Sequence, residues 1–163
     1  MRLREGERII KVIHHHPTPF VLDVLKVILG SFPFFLMLFL FSPVLSTKWA
    51  VILHLMVFTL FTLVLIYVSL IYWLDKVIIT NERIIHIDWK YLTVRDEAEA
   101  FLKDIQDVQT EEKGILSRFW IFDYGLLRLD TPSSYVTIEF KDAPDPEGVR
   151  NYIFSTRNLH DRK

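Results

Sequence analysis

The sequence predicts an α+β membrane protein: a two-helix transmembrane hairpin, then a β-rich domain closed by one C-terminal helix. Three observations carry this. Hydrophobic residues make up 51% of the 163-residue chain. They are segregated, because Val27 to Leu74 carry a single formal charge, Lys48. After Leu74 the pattern changes to short β-branched runs broken by turn residues.

The second apolar run is the clearer one. Trp49 to Leu74 is 26 residues without a charge. At ~1.5 Å per residue it reaches ~39 Å, more than a ~30 Å hydrocarbon core. Its 16 Leu, Ile, Val and Phe favour insertion by roughly 5–10 kcal/mol before polar costs. Trp49 opens the run, and Tyr72 and Trp73 close it, so these three rings are the expected interfacial anchors. The first run, Val27 to Leu45, is 19 residues, about 28 Å as a helix. Pro33 should kink it and Pro43 should end it. The competing reading, two core helices of a soluble protein, lacks enough other sequence to cover helices that are apolar all round.

The link from Ser42 to Lys48 is short, so the helices must be antiparallel neighbours with both flanks on one side. Arg2, Arg4, Arg8, Lys11 and Lys26 precede the hairpin, and Lys76, Arg83 and Lys90 follow it. Only Lys48 sits at the tip. The positive-inside rule then places both termini in the cytoplasm of a multi-pass bacterial plasma-membrane protein. A cleaved signal peptide is disfavoured, because the apolar sequence begins late, runs long and lacks a small-residue cleavage site. The expected organisation is a cytoplasmic or interfacial segment (1–26), the hairpin (27–74, with spans at about 27–45 and 49–74), a β-rich domain (75–156) and a tail (157–163).

Beyond Leu74, Lys76–Thr80 and Arg83–Trp89 read as strands of a hairpin around Asn81 and Glu82. Strands are also expected at Thr93–Leu102, Ile105–Glu111, Gly125–Thr131 and Val136–Phe140, the last two joined through Pro132, Ser133 and Ser134. Pro144, Asp145, Pro146 and Glu147 start a helix, with Val149, Tyr152 and Ile153 on its packing face.

Several motifs in this region resemble one family. They are Thr80-Asn81-Glu82-Arg83, Ile105-Gln106-Asp107-Val108, the Gly114, Leu116, Arg118, Tyr124 and Gly125 pattern, Leu127-Arg128-Leu129, and Pro144 to Ile153. With Leu3-Arg4-Glu5-Gly6-Glu7 and the paired helices, they resemble the bacterial pleckstrin-homology (PH)-like membrane proteins of the YdbS-like, type 2 bacterial PH domain family. The resemblance implies a PH-like split β-barrel of about seven strands with a C-terminal capping helix. The FWIF stretch, Phe119 to Phe122, is bulkier than the small turn usual in that family.

Chemistry is sparse. The chain has no Cys, and no phosphate loop, HExxH or nucleophile elbow is present. No enzyme activity, cofactor or metal is therefore expected. Consecutive imidazoles at His14, His15 and His16 suggest a metal, but neighbours on an extended chain face opposite ways. A titratable collar at headgroup level is the better reading, and a pH-sensing role stays open. His54, near one end of its span, can snorkel to the interface. Residues 75–163 hold 13 basic and 17 acidic residues, a net charge of 13 − 17 = −4. The Asn81-Glu82 turn is short and not basic. Both facts argue against phosphoinositide headgroups and nucleic acid as ligands.

One stretch invites contact with lipid or partner: Ile115, Leu116, Arg118, Phe119, Trp120, Ile121 and Phe122. The same residues could instead fill the barrel mouth. The expected function is a non-enzymatic scaffold or protein-interaction module at the cytoplasmic membrane face, with the bilayer and either a second copy or another membrane protein as partners. The alternative is a subunit of a transport or envelope-stress complex whose hairpin packs on partner helices through Gly30, Ser31 and Ser69.

Overall fold

The computed structural model describes residues 3–112, 123–131 and 137–160. Its elements are β1 (Ile9–Ile13), α1 (Pro17–Phe41), α2 (Thr47–Leu74), β2 (Lys76–Thr80), β3 (Arg83–Tyr91), β4 (Val94–Phe101), a 3-10 turn (Leu102–Asp104), β5 (Asp107–Glu112), β6 (Tyr124–Asp130), β7 (Thr137–Pro144) and α3 (Pro146–His160). The chain divides into two compact units. One is Pro19–Tyr72; the other combines Met1–Thr18 with Trp73–Lys163.

The helical unit is apolar on every side. Neither α1 nor α2 contains a buried residue, and both are long and apolar enough to cross a membrane. α1 runs through Pro33 without ending. It stops at Phe41, ahead of Pro43, because the residue before a proline avoids the α conformation. Phe61 of α2 meets Phe34 and Phe35 of α1, with ring centroids 5.5 and 6.3 Å apart. Phe20 stacks on Tyr72 at 4.4 Å. Several polar side chains bond inside their own helix: Ser31 to the Ile28 carbonyl, Thr62 to that of Phe58, Ser69 to that of Leu65, and His54 Nδ1 to that of Ala50. Such back-bonding gives each of these polar groups a partner within its own helix.

The other unit holds two antiparallel sheets, β1-β2-β3-β4 and β5-β6-β7. One core lies between them. Val77, Ile79 and Ile84 of the first sheet join Val108, Leu127, Leu129, Ile138 and Phe140 of the second. α3 closes the core with Val149 and Ile153, and its Arg157 Nη1 donates to the Ile105 carbonyl at 2.9 Å. Pro146 is the first residue of α3, where a missing N–H costs nothing. The Asp145 carboxylate caps the helix by accepting the Gly148 amide at 2.9 Å. The opposite face of the first sheet carries a second buried cluster, Ile78, Ile85 and Ile87, with Trp89 against it. Both faces of β2 and β3 are thus buried, which is why these strands read as continuous apolar runs rather than alternating ones.

The β2–β3 hairpin and its Asn81-Glu82 turn fall where the sequence places them. β3 runs two residues past Trp89, and β7 runs on from Phe140 to Pro144. α3 continues into the expected tail, as far as His160. The largest difference is at the N-terminus. The segment read as interfacial supplies an edge strand, β1, which pairs with β2 from Ile9↔Thr80 to Ile13↔Val77. The following helix starts at Pro17, ahead of the expected span. With β1 included, the described residues contain seven strands.

Candidate functional site

The two ends of the four-stranded sheet carry different chemistry. At the end where β2 turns into β3, the N-terminal stretch folds onto the Thr80–Arg83 turn. Gly6, at φ 85°, makes a left-handed step open to glycine at no steric cost. That step precedes Glu7, whose carboxylate is buried. Arg83 Nε donates to Glu7 Oε1 at 2.9 Å and Nη2 donates to Oε2 at 3.0 Å. The Thr80 hydroxyl lies 2.9 Å from Oε1, and the Arg4 amide donates to Oε2 at 2.8 Å. Arg83 Nη1 also reaches Glu99. These bonds, led by those from Arg83, hold the Glu7 carboxyl down to a pKa of about 2. Asn81 completes the clasp by accepting the Arg8 amide at 2.6 Å. Two sequence motifs, Leu3-Arg4-Glu5-Gly6-Glu7 and Thr80-Asn81-Glu82-Arg83, therefore form one ion-paired clamp.

The other end is where the chain leaves the sheet, through His14–His16 after β1 and through Trp73–Asp75 before β2. Opposite Leu126, β7 holds two residues, Lys141 and Asp142, against one on β6. This bulge places Asp142 at φ 54° and turns two carbonyls away from the ladder. The His15 ring takes the Lys141 carbonyl at Nδ1 (2.6 Å). The His16 amide takes the Asp142 carbonyl (2.8 Å). His15 Nε2 lies 3.6 Å from Asp75 Oδ2, and Asp75 Oδ1 accepts the Trp89 amide at 2.6 Å. The His15 ring packs on Phe140 at 4.5 Å, His86 approaches Phe140 edge-on at 5.5 Å, and His16 stacks on Tyr124 at 5.5 Å. Burial pushes the pKa of both His16 and His86 down. Asp123 and Asp142 oppose the shift at His16, while Asp88 and Asp75 oppose it at His86.

The partners of these imidazoles include a carbonyl, a carboxylate, aromatic rings and the Thr18 amide, which donates to His16 Nδ1 at 3.2 Å. That set fixes and half-buries the rings. His14 is exposed, and His15 and His16 face different neighbours, as expected of consecutive residues on an extended chain. Among the described residues, no three His, Cys, Asp or Glu converge on a point that could hold a metal ion. His86, Asp75 and the Lys141–Asp142 bulge were not singled out by sequence. A histidine inside an otherwise β-branched strand was the one available signal.

Of the expected contact residues, Ile115, Leu116, Arg118, Phe119, Trp120, Ile121 and Phe122 lie outside the described residues. Trp49 stands in the first turn of α2, 60 % exposed, and Trp73 is the penultimate residue of that helix, 70 % exposed. Tyr72 is partly covered by its stacking on Phe20.

A core shared by a four-stranded and a three-stranded antiparallel sheet, closed by a C-terminal helix, defines a PH-like domain; here two long apolar helices come between β1 and β2 in the chain. Residues 24–157 match the family described as Bacterial PH domain, and the chain belongs to that family. Among solved structures, the chain is similar to a DUF1696 family protein with a pleckstrin-homology domain from Shewanella loihica PV-4. The identity is 20% and the TM-score 0.39, covering 51% of this chain and 70% of that one. No curated protein matches the chain.

Proposed function

We propose that the chain is a membrane-anchored PH-like scaffold, a non-enzymatic protein-interaction module at the cytoplasmic face of the bacterial plasma membrane. The observation that carries the anchor is the helical unit. Its helices of 25 and 28 residues are apolar on all sides and contain no fully buried residue. Lipid is the solvent that suits such a surface. The anchored domain then begins within one residue of Leu74. Headgroup capture by the β2–β3 turn is disfavoured, because Asn81 is already engaged and the turn brings no Lys.

The absence of cysteine allows a clean topology test with single substitutions. Lys48→Cys should react with an impermeant maleimide in spheroplasts, and Glu139→Cys should react only after lysis. The reverse pattern would sink the proposed orientation. For the scaffold role, photo-crosslinking from position 120 in living cells should capture a protein, either a second copy or a foreign one. Chain that is strictly monomeric in detergent and yields no protein adduct would refute it. The second reading, a hairpin packed in a larger transport or stress complex, draws on Gly30, where an added Cβ would meet open space. Gly30→Leu should then disrupt function without affecting membrane insertion.

A further inference from the structure

The β3–β4 hairpin holds an unassigned surface. β2 begins at Lys76, which pairs with Ile87 of β3. β3 continues past that pair through Asp88, Trp89, Lys90 and Tyr91, then turns at Leu92 and Thr93 into β4. Four residues at ~3.3 Å each carry the tip about 13 Å beyond the start of β2. It projects from the end of the sheet at which the chain departs for α2 at Lys76 and for α1 after Ile13. Its composition is unusual for an exposed turn. Tyr91 is 61 % exposed, Leu92 39 % and Val94 43 %. Lys90 and Arg95 are the only formal charges from Trp89 to Arg95, and their acidic partners Asp96 and Glu97 lie farther back on β4. The tip is held in place, because the Trp89 amide is bonded to Asp75, the residue that follows α2.

We propose that this tip dips into the headgroup level of the same bilayer that α1 and α2 cross, as a second, peripheral membrane contact. The inference rests on the anchoring reading above. An amphipathic Tyr and Trp beside aliphatic residues, flanked by cations, is the chemistry of a membrane interface. Anionic lipid headgroups would attract Lys90 and Arg95.

The test uses the full chain in vesicles of phosphatidylethanolamine and phosphatidylglycerol, with an environment-sensitive fluorophore on single cysteines. Thr93→Cys reports the tip, Leu60→Cys the middle of α2, and Gln109→Cys the second sheet. The probe at 93 should emit to the blue of the one at 109. Lipids spin-labelled near the headgroup should quench it several-fold more strongly. Adding Tyr91→Asp and Leu92→Asp to the Thr93→Cys chain should abolish both effects. A probe at 93 as water-like as that at 109, with the probe at 60 quenched by deep labels, overturns the hairpin contact and leaves the anchor standing. A water-like probe at 60 overturns the anchor and the hairpin contact together.

Discussion

The two ends of the four-stranded sheet use the same kinds of group for opposite ends. At the β2–β3 end, Glu7, Thr80 and Arg83 are buried and saturate one another. At the chain-exit end the imidazoles of His15, His16 and His86 are half-buried, but beyond them the β3–β4 tip pairs Lys90 with Asp96 in water and leaves Tyr91, Leu92 and Val94 exposed. A closed end needs nothing from outside the protein. The other end carries exposed apolar surface at its tip, and it is the end through which the chain enters both apolar helices.

Breaking the clamp should produce the largest effect. Arg83→Ala leaves the Glu7 carboxylate buried without its main partner, which costs about 3–5 kcal/mol. Thermal or urea unfolding of the detergent-solubilised chain would measure it. Replacing both partners, Glu7→Leu with Arg83→Met, should cost clearly less than the single change, because no charge is then stranded. Equal losses would mean that the clamp acts through packing rather than charge.

Acid should separate the ends by pH. His16 and His86 have folded pKa values below 6.5. The unfolded chain therefore binds protons first, and stability falls as pH drops below about 6.5 towards those lowered values. Glu7 moves from 4.5 to about 2. Its contribution is complete above 4.5 and is lost between 4.5 and about 2, a stake on the order of 3 kcal/mol. Hydrogen exchange should show the chain-exit end loosening at mildly acidic pH while amides near Thr80 and Arg83 stay protected. His86→Phe should remove part of the first stage and leave the second. Loss of both ends at one pH would refute the distinction.

How much of this was legible in the sequence follows from the range of the interactions. The apolar helices and the β2–β3 hairpin are local patterns, and their residues announce them. β1 was hidden because Ile9–Ile13 reads as a short apolar stretch near a charged start; only pairing with β2, more than sixty residues away, makes it a strand. The partners in the clamp were visible as motifs but not as partners, since a Glu7–Arg83 contact leaves no trace in spacing. The histidine site depends on a bulge at Lys141–Asp142, where an αL aspartate gives no clear signal inside a strand. The expected apolar loop at 115–122 lies outside the described residues, and the exposed tip at Tyr91–Val94 falls at the junction between the strands expected at Arg83–Trp89 and Thr93–Leu102.

The smallest effect should come from the ion pair at the open end, and that is its use. Lys90 and Asp96 approach to 2.6 Å, with side chains 57 % and 55 % exposed. Water screens them and their rotamers must be held, so Lys90→Ala should leave the unfolding midpoint in detergent essentially unchanged. The same donor–acceptor chemistry is thus expected to differ by several-fold between the ends, through burial alone. If Lys90→Ala is silent in detergent but weakens headgroup-level quenching of a probe at Thr93 in anionic vesicles, the residue serves the membrane and not the fold. A stability loss comparable to that of Arg83→Ala would erase the contrast between the two ends.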